Sequence, residues 1–150
     1  MSGSHMNLDA QLKPLLERMN DCARELERLT MAEYEAIRSL DGERVLSLAD
    51  ERLACHRRLN EMEQECRQLL TRIGIDASMS LEAVIDLYAG ESAEALQSLR
   101  RNLYERILQV DRRGEENRLR MHAAYNVSAA ILQHLGLAHH EQTYRPRAGG

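Results

Sequence analysis

Cysteine and histidine are the side chains in this sequence with the most chemistry to offer. Cys22, Cys55 and Cys66 are odd in number and include no Cys-x-x-Cys pair, so their pattern indicates neither a disulfide framework nor a zinc site. His134, His139 and His140 form a local cluster, but the last two lie beyond Gly136 and no carboxylate or thiol stands at a matching helical spacing. They read as a solvated tail and not as metal ligands. A carboxylate-bridged di-metal bundle needs Glu-x-x-His pairs, and none occurs. The His-Glu-x-x-His motif, the glycine-rich phosphate loop and the dinucleotide fingerprint are also missing. The sequence reads as a non-enzyme with no cofactor and no metal, so any activity must come from binding.

The elements that would build a binding surface are helices. Of 150 residues only 3% are aromatic, with no Phe or Trp, while Leu, Ala, Glu and Arg abound; these are helix formers, and strand formers are scarce. A formal net charge of −4 argues against nucleic acid, whose phosphates demand a concentrated basic surface. The Arg-rich run from Arg100 to Arg120 is interrupted by Glu105, Asp111, Glu115 and Glu116 and reads as a solvated helix face. No signal peptide is visible, and three unpaired cysteines suit a reducing compartment, so a soluble, cytoplasmic protein is expected. Residues 1–6, MSGSHM, read as an expression-tag remnant. Residues 7–138 are then the helical domain and residues 139–150 a flexible tail.

Apolar residues recur at steps of three and four through Leu12, Leu15, Met19, Cys22, Leu26, Leu29, Ala36 and Leu40, interrupted by Glu33. This is a coiled-coil-like seam over Gln11–Leu40. Pro14 argues for a start near Gln11, with Leu8 in a kinked or separate turn. Gly42 suits the left-handed position past the helix end. A second seam, Leu48, Arg52, Cys55, Leu59, Met62, Cys66, Leu69 and Ile73, predicts an antiparallel helix over Glu43–Ile73. All three cysteines fall on seams, where they serve as small packing residues. GIDASMS is a linker, Ser80 caps a short helix that Gly90 stops, and Ser92 is placed to cap the next. From Leu103 a heptad register runs through Ile107, Val110, Gly114, Asn117, Met121, Ala124, Ser128, Ile131 and Leu135, predicting one helix from about Ser92 to Leu137. At about 1.5 Å per residue the first two helices are roughly 45 Å long and the last nearly 70 Å. The expected fold is an all-α, elongated antiparallel bundle of three main helices and a short connecting helix, with the C-terminal half of the last helix projecting.

That half contains the stretch Met121–His140, which has no Asp, Glu, Lys or Arg in a chain that is 29% charged. Asn126, Ser128, Gln133, His134 and Gly136 make it too polar to span a membrane. Its stripe of Met121, Ala124, Tyr125, Ser128, Ile131, Leu132 and Leu135 covers about 120° of a helix. A stripe of this kind either binds a partner helix or is buried, in the chain's own core or in a homodimer. Tyr144 is an aromatic anchor candidate in the tail.

These features together resemble the FlgN family of flagellar export chaperones. The resemblance rests on the seamed hairpin, the linker, EEN ahead of a neutral amphipathic stretch ending ILQHLG, and a tail TYRPRAGG similar to the family's Tyr-Gly-x-x-Gly. Asn117 and Tyr144 match motif positions. RLRM stands where an Asn-Gly pair is common, and Arg145 stands where Gly would follow Tyr144. The resemblance implies a chaperone that binds the C-terminal helical segments of hook-associated subunits of the FlgK and FlgL type. It would keep them unassembled and deliver them to the type III export apparatus. The partner-binding residues are then Asn117, Met121, Ala124, Tyr125, Ser128, Ile131, Leu132, Leu135 and Tyr144. The alternatives are a structural coiled-coil homodimer and a regulatory adaptor using the Arg face around Arg112 and Arg113.

Overall fold

The computed structural model describes the backbone of residues 2–76 and 78–136, and the side chains of that range from Leu8 onward. Four α-helices follow one another: α1 (Ser2–Arg38), α2 (Gly42–Arg72), α3 (Leu81–Tyr88) and α4 (Ala93–Leu135), with a single 3₁₀ turn at Gly90–Ser92 before α4. No strand occurs among the described residues. The residues divide into two compact units, one running to Gly114 and the other starting at Glu115.

In the first unit most seam positions are buried as their spacing predicts, but Leu40, beyond the end of α1, is 78% exposed, and Leu59, Met62 and Ile73 of the second seam are half-buried. Leu12, Leu15, Met19, Cys22, Leu26, Leu29 and Ala36 of α1 are buried, as are Leu48, Cys55, Cys66 and Leu69 of α2. They form two apolar clusters. One joins the first half of α1 to the end of α2, to Val84 and Ile85 of α3, and to Leu96 and Leu103 of α4. The other joins the second half of α1 to the first half of α2 and Val110. Polar ties fix the smaller pieces. The buried Asn20 amide donates to the carbonyl oxygens of Leu16 (3.0 Å) and Leu99 (3.1 Å). Gln97 Nε2 donates to Glu82 O (2.9 Å) and Asp86 Oδ1 (2.8 Å), holding α4 to α3. Arg106 pairs with Glu27.

The start of α1 and the turn between α1 and α2 differ from the expectation. α1 begins at Ser2, not near Gln11, and passes through Pro14 without ending; Leu8 is no separate turn but a fully buried core residue. A mid-helix proline costs about 3 kcal/mol. Here both Pro14 and Ala10, whose carbonyl loses its helical donor, are exposed, so water can serve that carbonyl while Leu8, Leu12, Leu15 and Leu16 are buried. The left-handed residue after α1 is Leu40 (φ 57°), not Gly42. The amide of Leu40 donates to Ile37 O (3.1 Å) and that of Asp41 to Ala36 O (3.0 Å), a Schellman closure. Asp41 then caps α2 at once, its carboxylate accepting from the Arg44 amide at 3.1 Å. Gly42 therefore falls in the first turn of α2. The end of α2 repeats the closure with glycine in the expected role: Gly74 has φ 85°, and the Ile75 amide reaches Leu70 O at 2.9 Å. Ser80 caps α3 through the Ala83 amide at 3.2 Å, as predicted.

α4 is one helix through Gly114, and it ends at Leu135; Leu137 lies outside the described residues. Nothing comes within 4 Å of a Cβ placed on Gly114, so the glycine answers no steric need. Gly114→Ala is expected to stabilise the protein by about 1 kcal/mol, the difference in helix propensity. A rise in the urea midpoint at unchanged slope checks it.

Candidate functional site

The second unit is built around the α4 residues from Glu115 to Leu135. Ala123, Ala124, Ala129, Ala130, Leu119, Met121, Leu132 and Gln133 favour the helix intrinsically. Gly136, at φ 85°, closes it with its amide on Gln133 O at 3.1 Å. Arg118 bonds Glu115 through both carboxylate oxygens (3.1 and 2.5 Å), and this holds the Glu115 carboxyl below its ordinary range. An ion pair therefore occupies the charged turn that precedes the uncharged stretch.

The heptad register of α4 continues to Leu135, but burial does not follow it. Leu103, Val110 and Asn117 are buried, whereas Met121 is 44% exposed, Ile131 54% and Leu135 64%. Tyr125 (67%) and Leu132 (44%) complete an exposed apolar band. Ser128 is exposed and Ala124 half-buried. Asn117, placed among the partner-binding residues by resemblance, is 2% exposed, and its Oδ1 accepts from Arg120 Nη1 at 3.3 Å. Tyr144 lies outside the described residues, as do His139 and His140.

The stripe read from the sequence omits Leu119 and Val127, which are 56% and 60% exposed. At about 100° per residue Val127 sits roughly 40° beyond Ile131 and widens the band, whereas Leu119 faces elsewhere. The signal for Val127 was present, because nothing charged separates it from the band. A search restricted to seam spacing passes over it.

Elsewhere, a cavity of about 310 Å³ in the first unit is lined by Leu16, Met19, Cys66, Leu70, Leu81 and Leu103, with Glu63 and Arg67 also lining it. Those two bond each other, and Ser80, which also lines it, is engaged as the cap of α3, so the polar groups of the lining already serve one another and the backbone. Burial pushes the Cys66 thiol up to about 11, which makes it a slow nucleophile. Among the described residues no three His, Cys, Asp or Glu side chains gather as metal ligands. No described helix is long and apolar enough to cross a membrane.

A family model described as FlgN protein matches residues 1–149. The chain belongs to the FlgN family. Neither a curated protein nor a solved structure matches it. FlgN proteins are a family of flagellar export chaperones, not a family of enzymes, and membership directs attention to flagellar proteins as partners. In this FlgN chain the exposed apolar band lies on α4 between Met121 and Leu135.

Proposed function

We propose that this chain is a cytoplasmic chaperone for hook-associated subunits of the FlgK and FlgL type. In this reading the C-terminal helical segment of the subunit lies along the α4 band of Met121, Tyr125, Ile131, Leu132 and Leu135, with Ala124 and Ser128 between them and Val127 at the edge. The supporting observation is the parting of register and burial after Asn117: the apolar repeat persists while its side chains stay exposed. A soluble protein rarely leaves such a band uncovered without using it. An amphipathic segment in an apolar groove is the recognition mode that fits a stripe at this spacing.

The energetics suit a delivery role. A subunit tail that orders on binding spends part of the contact energy on its own ordering, so affinity is moderate and release needs no nucleotide. Delivery to the type III export apparatus then requires only a competing site for the subunit or for the chaperone.

Light scattering combined with calorimetry tests the proposal. The expected result is a monomer at low micromolar concentration that takes up one C-terminal segment of a hook-associated subunit with a negative heat-capacity change, the mark of apolar burial. A stable dimer whose Tyr125 and Ile131 amides are protected from hydrogen exchange would establish the homodimer in its place. Binding that survives at full strength without residues 117–150 would move the site off the α4 band.

A further inference from the structure

Cys22 and Cys55 meet across the seam between α1 and α2. They are 33 residues apart in sequence, one on α1 and one on α2, and their sulfurs lie 3.4 Å from each other. Each thiol also reaches across to the other's backbone. Cys22 Sγ donates to Cys55 O at 3.2 Å, and Cys55 Sγ to Cys22 O at 3.4 Å. Small side chains let the two helices approach this closely, and packing alone explains why both are buried. Packing does not by itself require the two sulfurs to meet. Both cysteines are free thiols.

We propose that Cys22 and Cys55 form a reversible disulfide that fastens α1 to α2 when the protein meets a peroxide. To reach the covalent distance of about 2.05 Å each sulfur must move roughly 0.7 Å, a displacement on the scale of a side-chain rotation. The chemistry balances with hydrogen peroxide as oxidant. One cysteine sulfur attacks a peroxide oxygen and the O–O bond breaks. The departing hydroxide takes the thiol proton and leaves as water, and the cysteine becomes a sulfenic acid. The second sulfur attacks that sulfur, the S–S bond forms and the S–O bond breaks. The second hydroxide takes the remaining proton and leaves as water. Two electrons pass from the cysteine pair to the peroxide.

Location decides which cysteine takes part. Cys22 and Cys55 belong to the same apolar cluster, with Leu26, Leu48 and Val110. Cys66 belongs to the other, among Leu69, Leu70 and Leu103. Burial, and then the neighbouring Cys22 thiol, push the Cys55 thiol up to about 11, so Cys55 reacts slowly with thiol reagents. A small, uncharged oxidant that enters as the helices breathe is the reactant that suits it.

Peroxide treatment of the full chain, followed by tryptic digestion without reductant, tests the proposal. The expected product joins the peptide holding Cys22 to the peptide holding Cys55 within one molecule. The linkage persists in Cys66→Ser and is lost in Cys22→Ala and in Cys55→Ala. The oxidised wild type melts about 5 °C or more above the reduced form, because the cross-link restricts the unfolded chain, and dithiothreitol reverses the shift. A linkage through Cys66, a linkage between molecules, oxygen added to the cysteines without linkage, or thiols that survive unmodified would each overturn it.

Discussion

Ile131→Asp combined with Leu135→Asp is expected to weaken binding of a hook-associated subunit segment by more than about a hundredfold while the protein stays folded. The two side chains stand one helical turn apart on one face. They are 54% and 64% exposed, so each aspartate meets water in the unbound chain. In the complex the same carboxylates would be pressed against apolar partner atoms. Each buried anchor contributes about 2 kcal/mol at the centre of an interface, and every 1.4 kcal/mol is a factor of ten. Aspartate is a poorer helix former than leucine and is unfavourable in a last helical turn, so about 1 kcal/mol of local fraying is expected near Leu135. Ile131→Gln with Leu135→Gln removes that complication, because glutamine keeps the helix and adds no charge; this pair is expected to lose at least tenfold in affinity. Calorimetry reads the binding, and far-ultraviolet circular dichroism with thermal melting reads the fold. Collapse of cooperative melting in both pairs would show that these side chains hold the protein together.

Legibility from sequence tracks the range of the force involved. The seams of α1 and α2 were legible because burial repeats with the helical period, and every expected apolar position from Leu12 to Ala36 is buried. The Ser80 cap was legible because a hydroxyl three residues before an orphan amide is a local arrangement. Gly42 misled because glycine's tolerance of a left-handed backbone says where strain would be cheapest, not where the chain must turn. The turn falls at Leu40 since Asp41 must stand immediately before α2 to cap it. Pro14 misled because the cost of a mid-helix proline depends on whether the freed carbonyl can reach water, which periodicity does not encode. Cys22 and Cys55 carry no sequence spacing that announces a pair; their meeting is a tertiary fact. In the candidate site the stripe itself was legible, but its exposure and the burial of Asn117 were not, because an apolar period looks the same whether or not something covers it.

The two charged members of the seams test how tertiary contact resolves a local misfit. Glu33 interrupts the seam of α1 and Arg52 that of α2, and the structure sets them against each other, Arg52 Nη2 to Glu33 Oε2 at 3.3 Å. The Glu33 side chain is 5% exposed and that of Arg52 35%. Removing one partner of a buried pair typically costs 3–5 kcal/mol. Water screens the exposed third of Arg52, so Arg52→Leu is expected to destabilise by about 2 kcal/mol. Arg52 Nε is buried without a hydrogen-bond partner, which lowers the net worth of the intact pair. Glu33→Leu combined with Arg52→Leu should therefore return to wild-type stability or exceed it by about 1 kcal/mol, as apolar replacements of buried pairs often do. Urea unfolding of the two single variants and the double variant completes a cycle whose coupling should be at least about 2 kcal/mol; additive losses would show that the two side chains do not stabilise each other. The pair's larger effect is on register. A wholly apolar seam permits α1 and α2 to slip by a heptad, and a slip here would press Glu33 or Arg52 against apolar neighbours. In the double leucine variant that penalty is gone, so the yield of the Cys22–Cys55 cross-link is expected to fall even as stability holds, separating what stabilises the hairpin from what aligns it.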